Sequence, residues 1–159
     1  MSIIKEVKGN AVSMYLRGEG HFVHGCNNYC SMGNGIAKEV KRRIPGAFRA
    51  DQNTQRGLLT KLGTFSEYIS PQTMCVAFNA YTQHDFWSPG VKVDYKAVEL
   101  CFQRIAKFLE DWEEDKKPLL TPLIGAGLAE GDWERIRAII DKAVGDYPVI
   151  VVHFDPRAK

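Results

Sequence analysis

Residues Leu119-Leu120-Thr121-Pro122-Leu123-Ile124 form an apolar run too short for a helix. It ends abruptly in Gly125-Ala126-Gly127-Leu128, and a helix-period pattern begins a few residues later at Trp133. A run of this kind predicts a buried strand, a glycine turn and a helix start. Glycines in such a turn let backbone N–H groups approach a phosphate closely, and a helix N-terminus adds partial positive charge. By itself Gly-x-Gly after a strand is equally a plain tight turn. It carries weight because a second glycine loop, Gly25-Cys26-Asn27-Asn28-Tyr29-Cys30-Ser31-Met32-Gly33-Asn34-Gly35, follows another short strand candidate, His21–His24.

The rest of the chain alternates in the same way. Ile3–Val7 opens it, and Val12–Leu16 is a second apolar piece. Ile36, Val40 and Ile44 recur every four residues, which predicts an amphipathic helix ended by Pro45-Gly46. Its basic residues, Lys38, Lys41, Arg42 and Arg43, read as a solvated face. Phe48–Thr60 is polar and ambiguous. Thr64–Ile69 reads as a half-buried strand, and Thr73–Phe78 as a central strand covered on both faces. A polar and aromatic loop, Asn79–Gly90, follows. Asp94 is a plausible N-cap for a long helix with an apolar stripe from Val98 to Trp112. Glu113–Pro118 makes a charged turn, Asp132 can cap the next helix, and Pro148–Phe154 is a last buried strand.

Strands alternating with helices predict a single α/β domain over residues 1–159, three layers deep, with a mixed, mostly parallel sheet between helices. Ligands of such sheets sit outside the carboxyl ends of the strands. Three loops leave those ends, at Gly25–Gly35, Asn79–Gly90 and Gly125–Asp132, and they are expected to line one cleft.

Composition narrows the partners. A net charge of +2 gives no bulk attraction to nucleic acid or an anionic membrane. No cationic-then-apolar leader opens the chain, and no apolar run approaches the ~20 residues needed to span a bilayer. A cytoplasmic protein with reduced thiols is expected. His21, His24, Cys26 and Cys30 have a spacing that suggests zinc, but it is not that of a standard finger. Neither a metal nor another cofactor is expected, because backbone loops supply the anion site.

Val-His-Gly-Cys-Asn-Asn at 23–28 with Met-Gly-Asn-Gly-Ile-Ala at 32–37 resembles the first ligand loop of the macrodomains, which are ADP-ribose-binding α/β/α domains. Pro122–Leu128 resembles their phosphate-cradling loop, and Asn79–Gln83 and Val93-Asp94-Tyr95 also have counterparts. The resemblance covers nearly the whole chain. Within the family, Val7–Asn10, His24 and the Trp133 position look most like the ADP-ribose 1″-phosphate phosphatase branch.

The resemblance implies that Gly125, Ala126, Gly127 and Leu128 donate N–H groups to the diphosphate, with Gly33, Gly35 and Ile36 opposite. Asn34, Asn79 and Ala129 complete the contacting positions. Asn27 would bind the terminal ribose or orient a water, Asn28 would shape its loop, and the adenine would lie near Asn10 and Phe154. His24 is the implied general base or acid, with His84 and Asp85 in reserve. Two positions depart from the family: Asn10 replaces a frequent aspartate, and Ala129 a frequent aromatic whose place Phe86 or Trp87 could take.

The expected activity is hydrolysis of ADP-ribose 1″-phosphate to ADP-ribose and phosphate. The alternatives are a non-catalytic ADP-ribose-binding module, or a hydrolase that removes ADP-ribose or acyl groups from modified macromolecules or O-acyl-ADP-ribose. One branch of the family performs de-ADP-ribosylation through a lysine from the loop after the central strand. Asn79–Gln83 contains no lysine, and the acidic partner expected at Ala129 is absent, with Glu130 one residue off.

Overall fold

The computed structural model describes residues 2–112 and 116–159. Six strands form one sheet: β1 (Ile3–Gly9), β2 (His21–Asn27), β3 (Phe65–Ile69), β4 (Val76–Gln83), β5 (Leu119–Thr121) and β6 (Val149–Phe154). Their order is β1-β6-β5-β2-β4-β3. All pairings are parallel except that of the edge strand β3 with β4. The helices are α1 (Ala11–Leu16), α2 (Gly35–Arg43), α3 (Pro45–Gln52), α4 (Tyr95–Trp112) and α5 (Trp133–Ala143). The result is the expected three-layer α/β/α arrangement with a mixed, mostly parallel sheet.

Two apolar clusters hold the layers. On one face Val98, Phe102, Ile105 and Leu109 of α4 and Ile136 and Ile140 of α5 pack on Val23, Phe78, Leu119 and Val151. On the other face Val12 and Tyr15 of α1, Val40 of α2 and Ala47 of α3 cover Phe22, Ala77, Leu120 and Ile150. Helix stripes of period 3.6 thus meet strand faces of period 2 on both sides of the sheet.

Several boundaries differ from those read in the sequence, each for a local reason. The polar segment Asn79–Gln83 continues β4, because its side chains find partners inside the protein: Asn79 with His24, Ala47 and Ser66, and Tyr81 with Asp51. Likewise β2 runs on through Gly25, Cys26 and Asn27. Pro45 ends α2 and also starts α3, where a residue without an N–H loses nothing. Val12–Leu16 is helical, capped by the Asn10 side chain, which accepts from the Ser13 N–H at 3.1 Å. Asp94 and Asp132 cap α4 and α5 as expected. The charged turn at Glu113–Pro118 lies partly outside the described residues. No helix among those described is long and apolar enough to cross a membrane.

Helices α2 and α5 leave the adjacent strands β2 and β5 toward opposite faces of the sheet. The crevice where they diverge is a topological switch point, where open α/β sheets take their ligands.

Candidate ligand cleft

A cavity of about 570 Å³ fills that crevice, and all three expected loops line it. Its floor is the carboxyl ends of β2 and β4, where Gly25, Cys26, Asn27 and Gln83 are exposed to it. A Cβ on Gly25 would fall 2.7 Å from the Thr82 hydroxyl, so the floor there is bare backbone.

Ser31, Gly33, Asn34, Gly35, Ile36 and Ala37 form one wall. Gly35 has φ +58° and opens α2, so the first amides of that helix point at the cavity without intrahelical acceptors. Asn27 organises this wall. Its Oδ1 accepts from the Tyr29 N–H at 2.9 Å and its Nδ2 donates to the Ser31 carbonyl at 3.0 Å.

The opposite wall is Pro122–Glu130, which contributes Gly125, Gly127, Leu128 and Ala129. It is tied to itself by Gly131 N–H to Gly125 O at 2.6 Å and Glu130 N–H to Gly127 O at 3.0 Å. Among the described residues the amides of Gly125, Gly127 and Leu128 have no protein acceptor. Gly125 requires its residue type twice over: φ is +73°, and a Cβ would sit 2.7 Å from Val93 Cγ2. The Ala126 N–H is committed to the Leu123 carbonyl at 3.3 Å, and Ala126 is not among the cavity's lining residues.

His24 lies in a strand, as expected, but its side chain does not line the cavity. It lies within β2, three residues before the strand ends, and is buried. Its Nε2 donates to Asn79 Oδ1 at 2.7 Å, and its ring stacks on Phe22 with centroids 5.6 Å apart. Burial depresses its pKa to about 4, against the opposing effect of the Asn79 bond. It ties β2 to β4 from inside the protein, with Cys26 Sγ 3.5 Å from its Nε2 on the side of the cavity floor. Asn79 is equally buried, with its Nδ2 donating to Ala47 O and Ser66 Oγ. Neither lines the cavity.

Asn28 also stays behind the wall. Its Nδ2 donates to His84 Nδ1 at 3.1 Å, and its carbonyl accepts from Gly57 N–H and Lys61 Nζ. Asn10 and Phe154 are neighbours through the β1–β6 register, Gly9 opposite Phe154, but neither lines the cavity, and Asn10 Oδ1 is engaged as the α1 cap. Of the four residues with zinc-like spacing, His24 and Cys26 touch, with Sγ 3.5 Å from Nε2, but His21 accepts from the Val76 N–H, and Cys30 contacts the Asp51 carbonyl and Thr54. Among the described residues no three His, Cys, Asp or Glu side chains converge as metal ligands. Burial raises the Cys26 thiol well above its usual value.

Two side chains on the β4 side, not singled out in the sequence, reach the cavity: Gln83 and Lys92. The backbone of Lys92 is clamped to the opposite wall, its N–H donating to Ala129 O at 2.7 Å. Its mostly buried ammonium donates to Glu130 Oε2 and to Gly90 O, both at 3.1 Å. An eight-residue excursion, 84–91, through the Pro89-Gly90 turn delivers it, and the alternating Val91-Lys92-Val93 before the Asp94 cap was its only local signal.

No family model matches the chain. An uncharacterized 17.5 kDa protein from the tk–vs intergenic region of Enterobacteria phage T4 is 32% identical to it over 159 residues, covering 97% of this chain and 98% of the phage protein. The chain belongs to one family with that phage protein, and its fold is the macrodomain fold. The macrodomain of Thermus aquaticus DarG superimposes with a TM-score of 0.68 at 20% identity, covering 96% of this chain and 97% of that one. Thermosipho africanus DarTG in complex with ADP-ribose gives 0.70 at 15% identity, covering 92% of this chain and 40% of that one. At these identities the likeness shows the macrodomain architecture alone.

Proposed function

We propose that the cleft binds ADP-ribose and hydrolyses a phosphate ester on its terminal ribose, converting ADP-ribose 1″-phosphate to ADP-ribose and phosphate. The observation that carries this reading is the pair of glycine walls with uncommitted amides facing each other across one switch-point crevice. Such amides, with the α2 N-terminus, suit a diphosphate and require no metal. The ADP-ribose complex of a protein with the same fold supports the choice of ligand.

With His24 buried, the chemistry passes to groups at the β4 end. Asn27 and Gln83 are paired across β2 and β4: with its Nε2 held by Asp85 O, Gln83 offers its Oε1 to a sugar hydroxyl or an attacking water, and Asn27, whose carboxamide shapes the loop, offers its second Nδ2 hydrogen. Water attacks phosphorus, the bond from phosphorus to the 1″ oxygen breaks, and the Lys92 ammonium stabilises charge on the departing oxygens.

Lys92 also favours a second reading, removal of ADP-ribose from a modified macromolecule by lysine attack on the opened sugar. That role needs a free amine. An ammonium held by Glu130 is an electrostatic clamp first, so the phosphatase reading is preferred.

The test is phosphate release from ADP-ribose 1″-phosphate, with calorimetric ADP-ribose binding as the folding control. Lys92→Ala should slow release on the order of 100-fold, and Lys92→Arg, still a cation, should retain most of it. Loss of activity in Lys92→Arg, together with wild-type removal of ADP-ribose from modified macromolecules, would establish the second reading instead. Binding with no turnover of either substrate would make the protein a non-catalytic ADP-ribose reader.

A further inference from the structure

We propose that the outer face of α2 and α3 binds the phosphate backbone of a nucleic acid. This surface lies outside the cleft, and the inference does not depend on the ADP-ribose reading. The net charge of +2 is unevenly shared among the helices. Lys38, Lys41, Arg42, Arg43 and Arg49 put five cations on α2 and α3. Against them stand only Glu39 and Asp51, and Asp51 is buried. On the opposite layer α4 carries three cations and three carboxylates. A bulk charge near zero therefore conceals one basic face, which is what attracts a polyanion.

Helix geometry gathers these groups. Lys38, Lys41 and Arg42 stand three and four positions apart, so they share one stripe of α2, and all three are exposed. Lys41 Nζ lies 4.9 Å from the centre of the Phe48 ring, which ties the stripe to α3, where Arg49 is exposed. Glu39 answers only Arg42, at 2.6 Å. Among the described residues, Lys38, Lys41, Arg43 and Arg49 pair with no carboxylate. Like charges at this spacing repel. Phosphates laid along the face would offset that repulsion.

A lipid surface is the other extended anion, and helices that dock on one present apolar side chains beside their cations. Here the apolar stripe of α2, formed by Ile36, Val40 and Ile44, packs into the core. No large apolar side chain of α2 or α3 is exposed. The basic stripe also adjoins the cleft, since Lys38 is one turn, ~4.5 Å along the axis, from Gly35 of the cavity wall.

The experiment is fluorescence anisotropy with a labelled single-stranded oligonucleotide of about 20 nucleotides. If four phosphates are neutralised, affinity should fall about 50-fold between 50 and 200 mM salt. Lys38→Glu with Lys41→Glu should weaken binding at least about tenfold at 50 mM salt and roughly halve the dependence of log affinity on log salt. Circular dichroism checks that the variant is folded. Lys96→Glu with Lys107→Glu on α4 makes the same change in net charge and should leave affinity within about twofold. Equal losses from the two pairs would show that bulk charge alone acts, and would overturn the proposal. It would also be overturned by the absence of salt-dependent binding, or by tighter binding to phosphatidylserine vesicles than to the oligonucleotide.

Discussion

His21 and His24 sit on β2 as neutral imidazoles inside the protein, and that has a measurable consequence in acid. Burial lowers both pKa values from 6.5 to about 4; at His21 the Lys117 charge adds to the effect. The unfolded chain therefore takes up protons near pH 6.5 that the folded protein refuses until about pH 4. Each histidine's contribution is complete above pH 6.5 and is lost as the pH falls through that window. With those values the loss at pH 5 is about 2 kcal/mol per histidine, or roughly 4 kcal/mol for the pair. Carboxylates held low by hydrogen bonds, such as Asp141, act mostly below this range. Urea unfolding at pH 7.5, 6 and 5 measures the loss. His24→Gln, which keeps a donor toward Asn79, should remove about half of the slope. A stability that stays flat from pH 7.5 to 5 would refute the buried, neutral assignment. It would be refuted most sharply if turnover changed in the same window and His24→Gln abolished that change, since His24 would then be an accessible base.

Gly125→Ala should destabilise by about 3 kcal/mol, combining a left-handed backbone with the 2.7 Å approach to Val93; calorimetry should show ADP-ribose binding lost even where urea titration finds the protein folded. Lys61 is buried, with Nζ donating to Asn28 O at 2.9 Å and Thr54 Oγ1 at 2.8 Å and lying over the Tyr81 ring. Lys61→Ala should cost about 3 kcal/mol and speed hydrogen exchange at the amides of Asn28–Ser31. Asp132→Ala removes the cap that accepts from the Glu134 and Arg135 amides; it should cost about 1 kcal/mol and lower Tm by a few degrees without changing nucleotide affinity.

The alternation of strands and helices was legible because its signals are local. Val149–Val152 is a continuous apolar run, and Ile136 and Ile140 mark the stripe of α5. Where the sequence misled, the deciding contact was distant. Asn79 and Tyr81 look like loop residues until His24, Ser66 and Asp51 are seen to satisfy them, between 13 and 55 positions away. The family resemblance implies a ligand role for Asn10, but the chain turns into α1 at that point and uses the carboxamide as a cap.

The same distinction separates the two halves of the cleft. Its anion-binding half is built from backbone, and backbone geometry leaves a sequence trace: Gly125 and Gly35 stand where φ is positive, and Gly25 where a Cβ would collide. Its chemical half is built from side chains, Asn27 and Gln83 at strand ends and Lys92 beyond a loop, and for Lys92 the sequence trace is faint. Lys92 follows the last residue of β4 by nine positions, and its bonds to Ala129 O through the N–H and to Glu130 Oε2 through Nζ close it on the phosphate loop. His24 stands immediately before Gly25 in sequence, but it is three residues below the end of its strand, which rises about 3.3 Å per residue. The imidazole is covered by Cys26, whose Sγ lies 3.5 Å from its Nε2, and is packed on Phe22 and bonded to Asn79. Proximity to a ligand loop along the chain is not contact with the ligand when a neighbouring side chain, here Cys26, lies between the two.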